Sequence, residues 1–319
     1  MEYLQRCEEE ERLAFQASRY RRRIALPPLA KPEELFDQHR ELLGLLMDFV
    51  AERGRLPADD EIGNAAALRD ALGSIPRAFR VIESATGKDR WEEITGERAQ
   101  DTLIYLGLSR FDGRPNYSAL PRPLQLDVKS FFSSYSRACE LADALLFSVG
   151  DRSVIDEACR ASEIGKLTPD ALYVHESATD YLSPVLRLFE GCARGYIGQV
   201  EGANMVKLSR EEPRVSYLSY PDFEDDPHPA LAFSLGVHLQ TFRVRLRDYS
   251  TYRNHPILHR KETFLHTDHP LHAKFARLTR IEEHKGLFEN ARYIGTREGW
   301  ERALDAKGLY LKGHRLLKV

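Results

Sequence analysis

Apolar residues recur with a helical period through the first half of the chain. Between residues 33 and 53, Leu35, Phe36, His39, Leu42, Leu43, Leu46, Phe49 and Val50 fall on one stripe. Glu33 and Glu34 lie in the first turn, and Gly54 and Pro57 follow the last. A recurrence every three to four residues lines one face of an α-helix, and acids at its start oppose the positive end of the helix dipole. The same pattern predicts helices over 59–72, 75–86, 89–110, 121–148 and 151–160. A sparser helix over 2–23 ends in "SRYRRR" and is followed by the proline-rich linker "IALPPLAKP". "FVAERGRLPADDEI" reads as a tight turn between two helices, an outline that permits a helix-turn-helix.

After "GKLTPD" (165–170) the period shortens to two. "ALYVHES" (171–177) alternates, and Ser183-Pro184 opens a helix to about Ile197. "ANMVKLS" (203–209) and "RVSYLSY" (214–220) read as a hairpin. In it Val206 and Leu208 share a face with Val215 and Tyr217, while Lys207 points the other way beside Ser216. "LAFSLGVHLQTFRVRLRDY" (231–249) reads as one long strand whose apolar phase slips between Leu239 and Phe242, the mark of a β-bulge or bend. Arg243, Arg245 and Arg247 alternate with Val244 and Leu246, so three guanidinium groups are expected on one sheet face. Helices over 270–288 and 296–308 and a final hairpin, "LYLKGHRLLKV", complete the pattern. The expected class is α+β: a helical domain over 1–160, then a mixed domain over 161–319 with a largely antiparallel sheet.

Composition adds bounds and a charge gradient. The chain has 319 residues, 42% hydrophobic and 30% charged, which is ordinary for a soluble globular protein. No apolar run approaches the roughly 20 residues that cross a bilayer. The acidic start, "MEYLQRCEEEERL", has no apolar stretch of a signal peptide. The four cysteines lack CxxC spacing and suggest neither a disulfide framework nor a zinc site. A cytoplasmic protein is the expectation. Residues 1–159 carry 22 Lys and Arg against 28 Asp and Glu, whereas 243–319 carry 17 against 9. Ten of the eleven histidines lie at or after His175. A basic C-terminal end fits a polyanion partner.

Several stretches carry candidate chemistry. "PILHRKETFL" (256–265) mixes polar and apolar residues on both faces of any strand it could form, which marks a site-bearing segment. Arg260 and Lys261 would clamp a phosphate or carboxylate, with His259 and Glu262 available for acid–base work. "YPDFEDDPH" (220–228) offers Asp222, Glu224, Asp225, Asp226 and His228 to a hard cation, although flanking prolines more often mark a solvated acidic turn. The series His255, His259, His266, His269 and His272 is interrupted by Pro256 and Pro270, so no metal is expected. The Pro-Asp then Glu-x-Lys outline of a nuclease finds only Glu283-His284-Lys285, on a predicted helix. Arg187 and Arg194 flank Glu190 at helical spacing as an ion-pair ladder, and His175 reads as a half-buried strand histidine. Lys166 and Lys207 could extend the basic surface of the Arg243, Arg245 and Arg247 ladder.

Several blocks also resemble one bacterial family. They are "GKLTPDALYVHES", "FEGCARGYIG", "VEGANMVKLSREEPRVSYLSYPDFEDDPHPAL", "PILHRKETFL" and "IGTREGWERAL", with "ASRYRRR", "HRELLGLLMDFVAERGRLP" and "LQLDVKSFFSSYSRACELADALLF" in the helical half. Together they resemble the proteins labelled DNA phosphorothioation-associated methyltransferases, over nearly the whole chain. Longer members carry an S-adenosylmethionine-binding domain ahead of the region that begins near "ASRYRRR". No G-x-G turn of such a domain occurs here, nor an amino-methylation motif: "SYPDF" lacks the second proline. The resemblance therefore implies the target-handling half, as a separate product or a fragment. No cofactor is expected in this chain; S-adenosylmethionine would enter only through a partner or a missing domain. The leading expectation is a DNA-handling accessory of a bacterial DNA-modification or phage-defence system. Arg243, Arg245, Arg247, Arg260, Lys261, Lys207 and Lys166 would make its nucleic-acid contacts. The rivals are a hydrolase or nuclease using His259, Glu262 and Asp222, and a structural module docking on a methyltransferase through "IALPPLAKP" and the Glu8–Glu11 helix.

Overall fold

The computed structural model describes residues 8–16, 31–290 and 293–319. The expected helix over 2–23 is helical over 8–16 (α1); the remainder of that span and "IALPPLA" of the linker lie outside the described residues. The chain forms two compact units, Met1–Glu97 and Arg98–Val319.

The first unit contains α2 (Pro32–Gln38), α3 (Arg40–Arg53), α4 (Ala65–Leu72), α5 (Ile75–Thr86) and the start of α6 (Lys88–Leu108). Leu43, Leu46, Leu68, Ala78 and Ile82 are fully buried together, the apolar stripes meeting as their period requires. The single helix expected over 33–53 is two, parted at His39. Gly54 ends α3 at φ 68°, a left-handed cap that glycine adopts without a Cβ clash. The next helix begins at Ala65 rather than 59. The intervening segment folds around Arg55, whose guanidinium grips Glu61 with two bonds of 2.6 and 2.7 Å. That grip holds the Glu61 carboxyl below its ordinary range. The connection is far longer than the 3–4 residues or so of a helix-turn-helix turn, so the tight turn expected here is corrected.

The second unit continues with α7 (Arg122–Phe132), α8 (Tyr135–Ser148) and α9 (Arg152–Ala161). The helix expected over 121–148 is broken at its serine pair. Ser133 is left-handed at φ 64°, and Ser134 restarts the helix by accepting from the Arg137 N–H at 3.2 Å.

A six-stranded antiparallel sheet follows in simple order: β1 (Lys166–Leu167), β2 (Ala171–His175), β3 (Met205–Ser209), β4 (Arg214–Ser219), β5 (Phe233–His238) and β6 (Arg243–Asp248). Helix α10 (Pro184–Ile197) lies between β2 and β3 in the chain. The β3–β4 register pairs Val206 with Tyr217, Lys207 with Ser216 and Leu208 with Val215, as the alternation predicts. One sheet face buries Leu172, Val174, Val206, Leu208, Val215, Tyr217 and Val237 against Leu186 and Phe189 of α10 and Ile155 and Cys159 of α9. The fold is α+β, helical first and then an antiparallel sheet. Ile155 and Cys159 of α9 supply core residues to the sheet, and the helices after Arg98 fall in the same compact unit as the sheet.

Gly165 sits at φ +92°, where an added Cβ would come within 2.6 Å of the Tyr173 carbonyl oxygen. Gly165→Ala is therefore expected to destabilise the chain by about 2 kcal/mol, read as a lower urea midpoint with an unchanged slope.

The stretch over 231–249 is not one bulged strand. It is the β5–β6 hairpin, reversed through Leu239–Phe242 with Phe242 left-handed at φ 54°. The phase slip in the sequence is the reversal itself. On the far sheet face Met205, Leu218 and Tyr220 pack on Phe264, Leu265 and Phe275. Phe275 belongs to α11 (His272–His284); α12 (Arg297–Ala306) and the hairpin of β7 (Leu309–Lys312) and β8 (Arg315–Lys318) complete the chain. Among the described residues, no helix is long and apolar enough to cross a membrane.

Candidate nucleic-acid interface

Strand β6 is one of the two edges of the sheet, and all six of its residues are exposed. Its pleat separates two chemistries. Val244 and Leu246 continue the core face but project past its covered part, at 48% and 62% exposure. Arg243, Arg245 and Arg247 lie on the other face, opposite His238, Gly236 and Ser234. Side chains two apart on a strand are spaced by roughly 6.7 Å, so the three guanidinium groups form an evenly spaced row. Two of their three cross-strand partners are small and cover little of the arginine stems. Among the described residues none of the three arginines has an ion-pair partner. The hairpin end is anchored: the Tyr196 hydroxyl donates to the Phe242 carbonyl at 3.2 Å, and the two rings lie 5.3 Å apart.

The remaining expected basic contacts are placed differently. Lys166, Tyr173, Lys207, Ser216, Gly236 and Arg245 follow one another across the sheet in a single register row. Lys207 shares a face with the arginines, but its ammonium bonds Asp170 at 2.7 Å and lies 5.1 Å from the Tyr173 ring centre. Lys166 is half-buried above the Phe264 ring, and burial lowers its pKa. Arg260 pairs with Glu283 at 2.5 Å and stacks 4.4 Å from the centre of Phe288. Lys261 is the clearest correction. At 2% exposure it reaches no external phosphate. Its ammonium donates to the carbonyls of Phe223 and Asp226 at 2.6 and 2.7 Å, meets His314 Nε2 at 3.1 Å and sits 3.8 Å from the Phe275 ring centre.

"PILHRKETFL" proves to be neither a strand nor an open loop. Ile257 makes one isolated bridge, Arg260 turns left-handed at φ 56°, and Lys261–Phe264 form a single 3-10 turn. That turn packs its polar residues inward, Lys261 over Phe275 and Glu262 against Thr279, both of α11. His259 Nε2 donates to the Ile294 carbonyl at 2.7 Å, and burial pushes its pKa down to about 3. His228 Nε2 lies 2.8 Å from Oε1 of Glu282, a carboxyl with no exposed surface. Burial drives these partners apart, Glu282 up to about 8 and His228 down to about 4. Both are then neutral near pH 7. The Glu282 hydroxyl donates to His228 Nε2, and His228 Nδ1–H donates to the Leu258 carbonyl at 3.2 Å. The rings of His228, His259 and Trp300 lie 4.4–4.6 Å apart around this pair.

The proposed acid–base set does not gather here. Glu262 accepts from the Thr279 hydroxyl at 2.9 Å, His259 faces the Ile294 carbonyl, and Asp222 is exposed on the 220–226 turn. None of the three contacts another. The acidic turn is internally committed too: Asp226 pairs with Arg297 at 2.9 Å. Among the described residues no group of three or more His, Cys, Asp or Glu is arranged to hold a metal ion. Glu190 bonds Arg194 as the helical spacing predicts, whereas Arg187 turns to Asp101 at 2.6 Å.

Sequence reasoning missed Glu282 and Trp300. The signal for Glu282 was present: Phe275, Leu278, Thr279 and Glu282 fall at i, i+3, i+4 and i+7, so the carboxyl sits on the buried stripe of α11. No family model, curated protein or solved structure matches this chain.

Proposed function

We propose that this chain is a DNA-handling component of a bacterial DNA-modification or phage-defence system, acting in the cytoplasm and gripping the DNA backbone through Arg243, Arg245 and Arg247. The observation that carries the reading is the row of three exposed, unpaired arginines on the edge strand. A fixed row of guanidinium groups suits phosphate oxygens, which accept paired N–H bonds. The wider C-terminal excess, 17 Lys and Arg against 9 Asp and Glu over 243–319, adds long-range attraction. The resemblance of the sequence blocks to phosphorothioation-associated proteins favours DNA over RNA. Any methyl transfer in such a system would fall to a separate S-adenosylmethionine-binding subunit.

The test is fluorescence anisotropy with a labelled DNA duplex across a salt series. Each phosphate contact contributes about 0.9 to the slope of log K against log salt. Changing Arg243, Arg245 and Arg247 together to glutamine should reduce that slope by roughly 2–3, while Arg260→Ala leaves it nearly unchanged. A triple variant with the native slope overturns the reading and favours the module that docks on a methyltransferase.

A further inference from the structure

A cavity in the second unit shares no lining residue with the edge strand or the buried histidine cluster. Its volume is about 660 Å³, within the range of small-molecule sites. It is formed by the end of α6 and the loop after it, the 3-10 turn before α10, and α10 itself, all within the Arg98–Val319 unit. The wall from α10 is the "FEGCARG" block, which the phosphate-gripping edge leaves unexplained.

Three features define what the cavity would take. Its body is apolar, lined by Leu108 and Leu182. Its rim carries two large rings left in solvent, Tyr105 at 45% and Phe111 at 62% exposure. Its charge balance is negative. Arg187 and Arg194 line it, but they are matched by Asp101 and Glu190 at 2.6 and 2.7 Å. Asp112 and Asp180 also line it, and neither has an ion-pair partner among the described residues. An anion would have to displace a carboxylate from a guanidinium. A cation would find two carboxylates without ion-pair partners among the described residues and two exposed rings lining one cavity, groups that stabilise an organic ammonium. Gly195 also lines the cavity, and an added Cβ there would meet nothing within 4 Å.

We infer that this cavity is a binding site for a small amphiphilic organic cation, an ammonium group carried on an aromatic or aliphatic body. The body lies against Leu108 and Leu182, and the ammonium lies at the rim between the rings of Tyr105 and Phe111 and the carboxylates of Asp112 and Asp180.

Benzyltrimethylammonium is a suitable probe and benzenesulfonate its anionic counterpart, with binding read from the methyl resonances of Leu108 and Leu182 in the intact chain. The cation is expected to give saturable shifts and the sulfonate none. Asp112→Asn with Asp180→Asn should weaken the cation by roughly ten-fold. Both positions are exposed, so this variant tests the site without threatening the fold. Gly195→Leu fills the space from a helical position and should abolish the shifts while leaving the remaining methyl spectrum native. Equal or tighter binding of the sulfonate overturns the inference. So does the absence of saturable shifts, or a cation response that both variants leave unchanged.

Discussion

Replacing Lys261 with methionine is expected to destabilise the chain by about 3 kcal/mol at pH 8, and to leave the salt slope of DNA binding untouched. The side chains are similar in length, so the substitution isolates the amine. Two effects compete. Removing a buried cation relieves its desolvation, which can make an apolar replacement neutral. Against that, the carbonyls of Phe223 and Asp226 lose the side-chain donor they share, in a water-poor site. Each buried acceptor left unsatisfied costs about 1–3 kcal/mol. Burial, with Lys274 nearby, already lowers the Lys261 pKa to about 7, so near pH 8 the amine is largely neutral and little charge penalty remains to relieve. The lost hydrogen bonds therefore decide the sign. The same shift fixes the pH dependence. The unfolded amine keeps its proton to about 10.5 and the folded one gives it up near 7, so the unfolded state binds more protons between those values. Native stability from this group rises with pH across that window, and the cost of Lys261→Met should grow from pH 7 to pH 9. Urea unfolding at several pH values measures it; a cost that shrinks with rising pH would refute the neutral-amine account.

Much of this architecture is legible in the sequence, for physical reasons that also explain what is not. The 75–86 helix and the β3–β4 register are dictated by periodicity, since a one-residue slip would turn Val206 and Leu208 out of the core. The three arginines of β6 are visible because alternation survives on an exposed strand. The breaks at His39 and at Ser133-Ser134 are not, since each changes the dihedral angles of only one or two residues. "HRKE" misleads for a different reason. Four consecutive ionisable residues normally mean solvent, and only partners distant in sequence make them interior groups: Phe223 and Asp226 for Lys261, Ile294 for His259, and Thr279 for Glu262. The phosphate clamp expected at Arg260 and Lys261 thus belongs to the scaffold, and the exposed guanidinium row lies one hairpin earlier in the chain.

Glu282→Gln is expected to stabilise the protein progressively as pH rises, by about 4 kcal/mol between pH 5 and pH 8 relative to the native chain. Burial, reinforced by Glu262, keeps the folded carboxyl protonated to about 8, whereas the unfolded one ionises near 4.5. Between those values the folded state binds the extra proton, so native stability from this group is complete below 4.5 and lost as pH climbs toward 8. Each pH unit in that window changes the balance by about 1.4 kcal/mol. Glutamine does not titrate, yet its amide can donate to His228 Nε2 as the carboxylic acid does, so the variant removes the pH term and keeps the bond. His228 acts with the opposite sign. Its folded pKa near 4 means that the unfolded state alone is protonated up to 6.5, and stability from this group rises with pH over that interval. The two slopes oppose each other in the native protein below 6.5, and Glu282→Gln exposes the rising one. Glu282→Ala separates the contributions: it leaves the His228 ring without its donor and opens a cavity, so it destabilises at every pH. A difference between native and glutamine chains that stays flat from pH 5 to pH 8 would mean that the carboxyl is ionised in the fold, and His228 would then have to be the protonated partner of a buried ion pair.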